Sequence, residues 1–107
     1  MIPHKKGAIV TLGAIPEDDV RVLLRQPWVM VSSDGQELNP RHPRGRGAFA
    51  RVLGRYVREQ PVLTWEEAIR KMTGLPAATV GLVNRGLLAA GMAADIAVFD
   101  PAIIIDR

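Results

Sequence analysis

Three observations predict an α/β chain. Short apolar runs suited to strands alternate with amphipathic helical segments, and the links between them are short. One run, Trp28–Val31, is apolar on both faces, as a strand of a parallel sheet covered by helices is. After residue 81 the helical pattern stops and short apolar runs between turn signals take over.

The elements follow in order. Ala8–Leu12 (AIVTL) is rich in β-branched residues and ends at Gly13, which predicts a short strand. Pro16 then opens PEDDVRVLLRQ, a predicted helix. Glu17, Asp18 and Asp19 occupy its first turn and Arg25 its last, each sign at the end the helix dipole favours. Val20, Leu23 and Leu24 make its apolar stripe, and Pro27 stops it. WVMV follows as the second strand, so the opening reads as a βαβ unit.

Beyond a loop at residues 34–47, AFARVLGRYVREQ repeats Phe49, Val52, Leu53, Tyr56 and Val57 at helical spacing. Gly54 costs this helix about 1 kcal/mol relative to alanine, which suggests a close packing contact there. After Pro61, Thr64 and Glu67 have the spacing of a capping box. Trp65, Ala68, Ile69 and Met72 form the apolar face of the helix they open, and Gly74 is read as its stop. Pro76 starts one more turn, PAATV, closed by Gly81. In the tail, Ile96–Phe99 and Ile103–Ile105 are predicted strands. Such strands expose an aggregation-prone edge unless something pairs with them, so the chain reads as part of a larger fold.

Composition narrows the function. The chain has 107 residues, a net charge of +3 and no cysteine. A disulfide framework and a thiolate metal site are excluded, and a reducing cytoplasm is the expected location. No run is long enough for a membrane span, and MIPHKKGAIVTLG lacks the apolar length of a signal peptide. Arg41, Arg44, Arg46, Arg51, Arg55 and Arg58 lie within eighteen residues that contain no acid. Such a cluster can grip phosphate or carboxylate; it can equally be a solvated helix face with a basic loop. A small basic domain that binds nucleic acid is therefore one alternative, although there are few aromatics for base stacking.

In parallel α/β folds ligands gather at the carboxyl ends of strands. Asp34, just beyond WVMVSS and followed by Gly35, occupies such a position. A carboxylate there can ligate a metal, act as a general base, or do both; the same Ser-Asp-Gly can be a plain turn. His4 and His42 are the only histidines and have no metal-motif spacing, and His42 reads as a loop residue. No nucleophile triad can be assembled.

Taken together, VMVSSDG, HPRGRGAFARVLGRYVRE and LTWEEAIRKMTGLPAATVGLVNRGLLAAGMAADIAVFDP resemble the C-terminal portion of the N-acyl-D-amino-acid deacylases of the amidohydrolase superfamily. The resemblance implies a metal-dependent (β/α)8 TIM barrel with a small β-sandwich. Residues 8–81 would be the end of the barrel, with WVMV its eighth strand, and residues 82–107 a sandwich segment. It implies Asp34 as general base and then acid toward the scissile amide, and a possible further metal ligand. Arg44 matches the arginine of the family's His-Pro-Arg stretch, which holds the substrate carboxylate. Zinc is the implied cofactor of the parent enzyme, and an N-acyl-D-amino acid its substrate. Departures are visible: Gln36-Glu37 stands where the family carries Leu-Pro, and Ala50 where it carries a helix-starting proline. The metal ligands of earlier barrel strands are not in these residues. The chain alone is accordingly expected to be inactive, not to retain zinc, and to self-associate or fold poorly without the missing N-terminal barrel segment. An inactive partial gene product is the remaining alternative.

Overall fold

The architecture follows from four helical segments whose starts and stops are written into the chain. The computed structural model describes residues 15–35 and 44–106. The strand expected at residues 8–12, and both histidines, lie outside them.

Helix α1 spans Glu17–Arg25, with its three acids in the first turn and Arg25 in the last; Gln26 caps it and Pro27 comes next. Leu24 is buried and Val20 packs beside it, whereas Leu23 is largely exposed. Helix α2, Arg44–Arg51, runs without interruption into a π-helix over Val52–Glu59. The wider winding is closed by a bond from Gln60 N–H to the Arg55 carbonyl, 2.8 Å long. Val52, Leu53, Tyr56 and Val57 are buried, as their spacing predicts, because Val52 and Tyr56, and Leu53 and Val57, are four residues apart and so are neighbours on one side of the rod. Phe49 stays partly exposed.

Helix α3, Trp65–Met72, begins at the expected cap: Thr64 Oγ1 accepts the Glu67 N–H at 3.2 Å. Its apolar face differs from expectation. Ala68 is fully buried and Met72 packs on the core, but Ile69 is exposed and Lys71 takes the inward place at 0% exposure. Gly74 does not end this helix. The break is Thr73, and Gly74 opens helix α4, Gly74–Val80, which Gly81 closes with φ of 81°.

One apolar cluster joins these pieces: Leu24, Val52, Leu53, Tyr56, Val57, Leu63 and Ala68, with Val31, Trp65 and Ile104 against it. Polar contacts tie α1 to the π-helix around Glu17, which accepts from Tyr56 Oη at 3.0 Å and pairs with Arg55 at 3.1 Å. Burial and this bond to Glu17 raise the Tyr56 phenol above its ordinary range.

The tail lies along the second helical rod. Arg51 pairs with Asp106 at 2.9 Å, and Arg58 donates to the Ile104 carbonyl at 2.7 Å. The close contact expected at Gly54 is with this segment. A Cβ there would overlap the Ile104 carbonyl oxygen and lie 2.5 Å from Ile105 Cδ1. Trp65 and Phe99 stack with centroids 6.1 Å apart.

No strand forms among the described residues, which corrects the expectation for Trp28–Val31, Ile96–Phe99 and Ile103–Ile105. A strand exists only where a neighbour supplies a hydrogen-bonded ladder, and here none does. Ile103 instead sits in a turn made by Asp100, whose carboxylate accepts the Ala102 N–H at 2.8 Å and whose carbonyl accepts from Ile104 at 3.0 Å. Trp28 is 68% exposed, and Val83, Leu87, Leu88, Val98 and Ile103 are more than half exposed. The radius of gyration, 16.6 Å, exceeds the roughly 13 Å of a closed domain near this size. No described helix is long and apolar enough to cross a membrane.

Candidate active-site corner

The path to Asp34 starts at Pro27, which ends α1 and turns the chain toward α3. Val31 is the one residue of WVMV packed on the core, and its N–H donates to the Lys71 carbonyl at 3.2 Å. Lys71 grips the same segment from its other end, donating its ammonium to the carbonyls of Gln26 and of Val29, the latter at 2.9 Å. Arg70 adds a bond to the Pro27 carbonyl at 2.6 Å. Both cations are organised by Glu67, which meets Arg70 at 2.8 Å and Lys71 at 3.6 Å. The Arg70 hydrogen bonds hold the Glu67 carboxyl down at about 2.

Past Val31 the chain leaves the core in four polar residues. Ser32 Oγ accepts the Asp34 N–H at 3.3 Å, and Ser33 Oγ accepts the Gly35 N–H at 3.1 Å. Each is a side-chain-to-backbone turn of the kind serine forms readily. They hold Asp34 at φ of 48°, in the left-handed region that aspartate tolerates better than most residues. The Asp34 carboxylate is on an exposed residue.

Gly35 then abuts the first turn of α2. A Cβ on Gly35 would stand 3.2 Å from Gly45 Cα and 3.4 Å from its carbonyl oxygen. Two glycines in contact bring the end of the segment against the start of the helix. Asp34 and Arg44, distant by ten positions in the chain, are each one residue from that contact. The structure thus brings the backbones of the two sequence-singled residues to one corner.

Among the described residues no three of His, Cys, Asp and Glu come together as a metal site. These residues therefore do not fit a metal centre of their own. Sequence reading missed Ser32, Ser33 and Lys71. The serines had a signal, since Ser-Ser ahead of Asp-Gly is a turn-forming pattern. Lys71 had one too, three residues after Ala68 and so on its face.

The comparisons decide the family. The model of the Amidohydrolase family matches residues 5–106. The chain belongs to the amidohydrolase family. It is 50% identical over 96 residues to the N-acyl-D-glutamate deacylase of Alcaligenes xylosoxydans xylosoxydans, covering 88% of this chain and 20% of that protein. The D-aminoacylase of the same organism is 43% identical over 107 residues, 99% of this chain and 22% of the relative. Among solved structures, the N-acyl-D-glutamate deacylase of Bordetella bronchiseptica, complexed with zinc and a phosphonate mimic of the tetrahedral intermediate, superposes with a TM-score of 0.80 at 48% identity. That match covers 84% of this chain and 19% of the other. This amidohydrolase chain therefore has the fold of the corresponding part of the deacylases, and it spans about a fifth of their length.

Proposed function

We propose that these residues form one wall of the active site of a zinc-dependent amidohydrolase that cleaves N-acyl-D-amino acids to a D-amino acid and a carboxylate. The observation that carries this reading is the Gly35–Gly45 contact, which sets Asp34 beside the start of α2 at Arg44. In the reading, residues 8–81 are the last strands and helices of a (β/α)8 barrel, WVMV its eighth strand, and residues 82–107 part of a β-sandwich. The zinc belongs to the whole enzyme, with its ligand set on residues beyond those described.

Asp34 acts on protons. Its carboxylate takes a proton from the attacking water as the oxygen bonds to the amide carbon. It then gives that proton to the amine nitrogen as the C–N bond breaks. The Arg44 guanidinium holds the carboxylate of the amino-acid half, two parallel N–H donors to two oxygens. An exposed carboxylate on a loop fixed by two serine turns suits such work, because it is positioned without being buried.

The test is a chimera in which these 107 residues replace the matching fifth of the N-acyl-D-glutamate deacylase. The chimera is expected to hydrolyse an N-acyl-D-amino acid. Asp34→Asn lowers its kcat by about a hundredfold or more, the usual worth of a general base, with KM little changed. A D34N chimera that keeps its turnover, or a folded chimera with none to begin with, refutes the reading. The isolated chain, with its exposed Trp28, Leu87, Leu88 and Val98, self-associates and is inactive. A monodisperse, zinc-activated monomer would overturn that part.

A further inference from the structure

Lys71 is fully buried, and proton transfer at Asp34 makes no use of it. A buried ammonium is expensive unless all its protons are taken. Here they go to the Gln26 and Val29 carbonyls and toward Glu67. The backbone of the same residue accepts from Val31, so Lys71 touches the segment at three places in six residues. Arg70 holds a fourth point, the Pro27 carbonyl. Beyond Val31 only the Ser32 and Ser33 turns separate this clamp from Asp34.

Four bonds to α3 hold the segment that carries Asp34. Fixed at Gln26, Pro27, Val29 and Val31, it can shift at its tip only by rotating within Ser32–Gly35. We propose that Lys71, assisted by Arg70, is a positioning residue for the deacylation. It clamps the backbone that delivers Asp34, and so sets the distance over which the carboxylate moves its proton. This rests on the role given to Asp34 above. The reason for a charge rather than an apolar side chain is directional. One ammonium satisfies two carbonyls that a methionine of similar length would leave without it.

The experiment uses the chimera with Lys71→Met, Arg70→Ala and, as a control, Val57→Ala. Val57 is a core residue whose side chain can make none of the clamp's hydrogen bonds. Turnover is expressed per folded molecule, and amide exchange is read at Val31 and Asp34. Lys71→Met is expected to speed exchange at both amides at least tenfold and to lower kcat about tenfold or more, with KM within twofold. A misplacement near 1 Å is enough for an effect of that order. Arg70→Ala, which leaves the fully buried Lys71 in place, gives the same pattern at about threefold and decides the matter if K71M fails to fold. Val57→Ala loses stability but keeps kcat and the exchange at Asp34. Unchanged exchange, or a kcat per folded molecule equal to that of the unaltered chimera, overturns the proposal. Full turnover by D34N overturns the role of Asp34 and the catalytic half of this inference, while exchange still judges the clamp by itself.

Discussion

Gly54→Ala sets two well-known effects against each other, and the structure says which wins. Alanine in place of glycine inside a helix stabilises by about 1 kcal/mol on propensity alone. Here the added Cβ collides with the Ile104 carbonyl oxygen and sits 2.5 Å from Ile105 Cδ1 and 3.1 Å from its Cα. Two of these atoms are backbone and cannot rotate away. Overpacking of this kind costs about 1–3 kcal/mol. The alternative is for the tail to lift off. That forfeits the charge-assisted bond from Arg58 to Ile104, about 1.5–3 kcal/mol, and the half-exposed Arg51–Asp106 pair, at most about 1. The cheaper route, at about 2 kcal/mol in mid-range, exceeds the propensity gain, so the net is a loss of about 1 kcal/mol. For a chain of this size that lowers Tm by about 4 °C or more. Helical circular dichroism through a thermal or urea transition measures it, on the chimera and on the chain held dilute. A G54A protein more stable by about 1 kcal/mol would refute the reasoning, since it would mean that the tail does not lie on the helix.

Two further outcomes follow from α3. Thr64→Ala removes the acceptor for the Glu67 N–H and should cost about 1 kcal/mol, read as a shift of the denaturation midpoint. Glu67 is held at about 2 from a starting value of 4.5 by Arg70, so its folded pKa is the lower one. Its contribution to stability is therefore full above about pH 4.5 and is lost as pH falls toward 2. Glu67→Gln should remove that acid-side slope from the stability profile while leaving the neutral-pH slope alone; an unchanged acid limb in E67Q would count against it.

Local chemistry made the helices legible. Pro16, Pro27 and Pro61, the Thr64 cap and the left-handed Gly81 mark boundaries through contacts that span four residues or fewer, and such signals survive in a bare sequence. Asp34 was legible for a related reason: the hydrophobic run ends at a polar turn, whatever surrounds it. Two things were only partly written in the sequence. The inward turn of Lys71 depends on carbonyls forty-two and forty-five residues away, and a lysine beside Arg70 looks like one more solvated charge until they are in place. A strand at WVMV or at the isoleucine run would need neighbours that the described residues do not supply. Apolar patterning reports that a segment wants cover on both faces; it does not report who covers it.

The arginine cluster shows how the same ambiguity resolves when partners are visible. In sequence, Arg51, Arg55 and Arg58 form a basic stripe as suited to a nucleic-acid backbone as to anything else. In the fold, Arg51 holds Asp106, Arg55 holds Glu17, and Arg58 holds the carbonyls of Pro101 and Ile104 as well as Glu59. A phosphate would have to displace each of these bonds, and in doing so would detach the tail and α1 from the π-helix. Phosphate affinity drawn from those three residues is thus opposed by the packing of the chain itself. At its N-terminal end the same rod is joined differently, by the backbone contact of Gly45 with Gly35. Arg51, Arg55 and Arg58 thus serve architecture, each bound to a part of the chain that it holds in place.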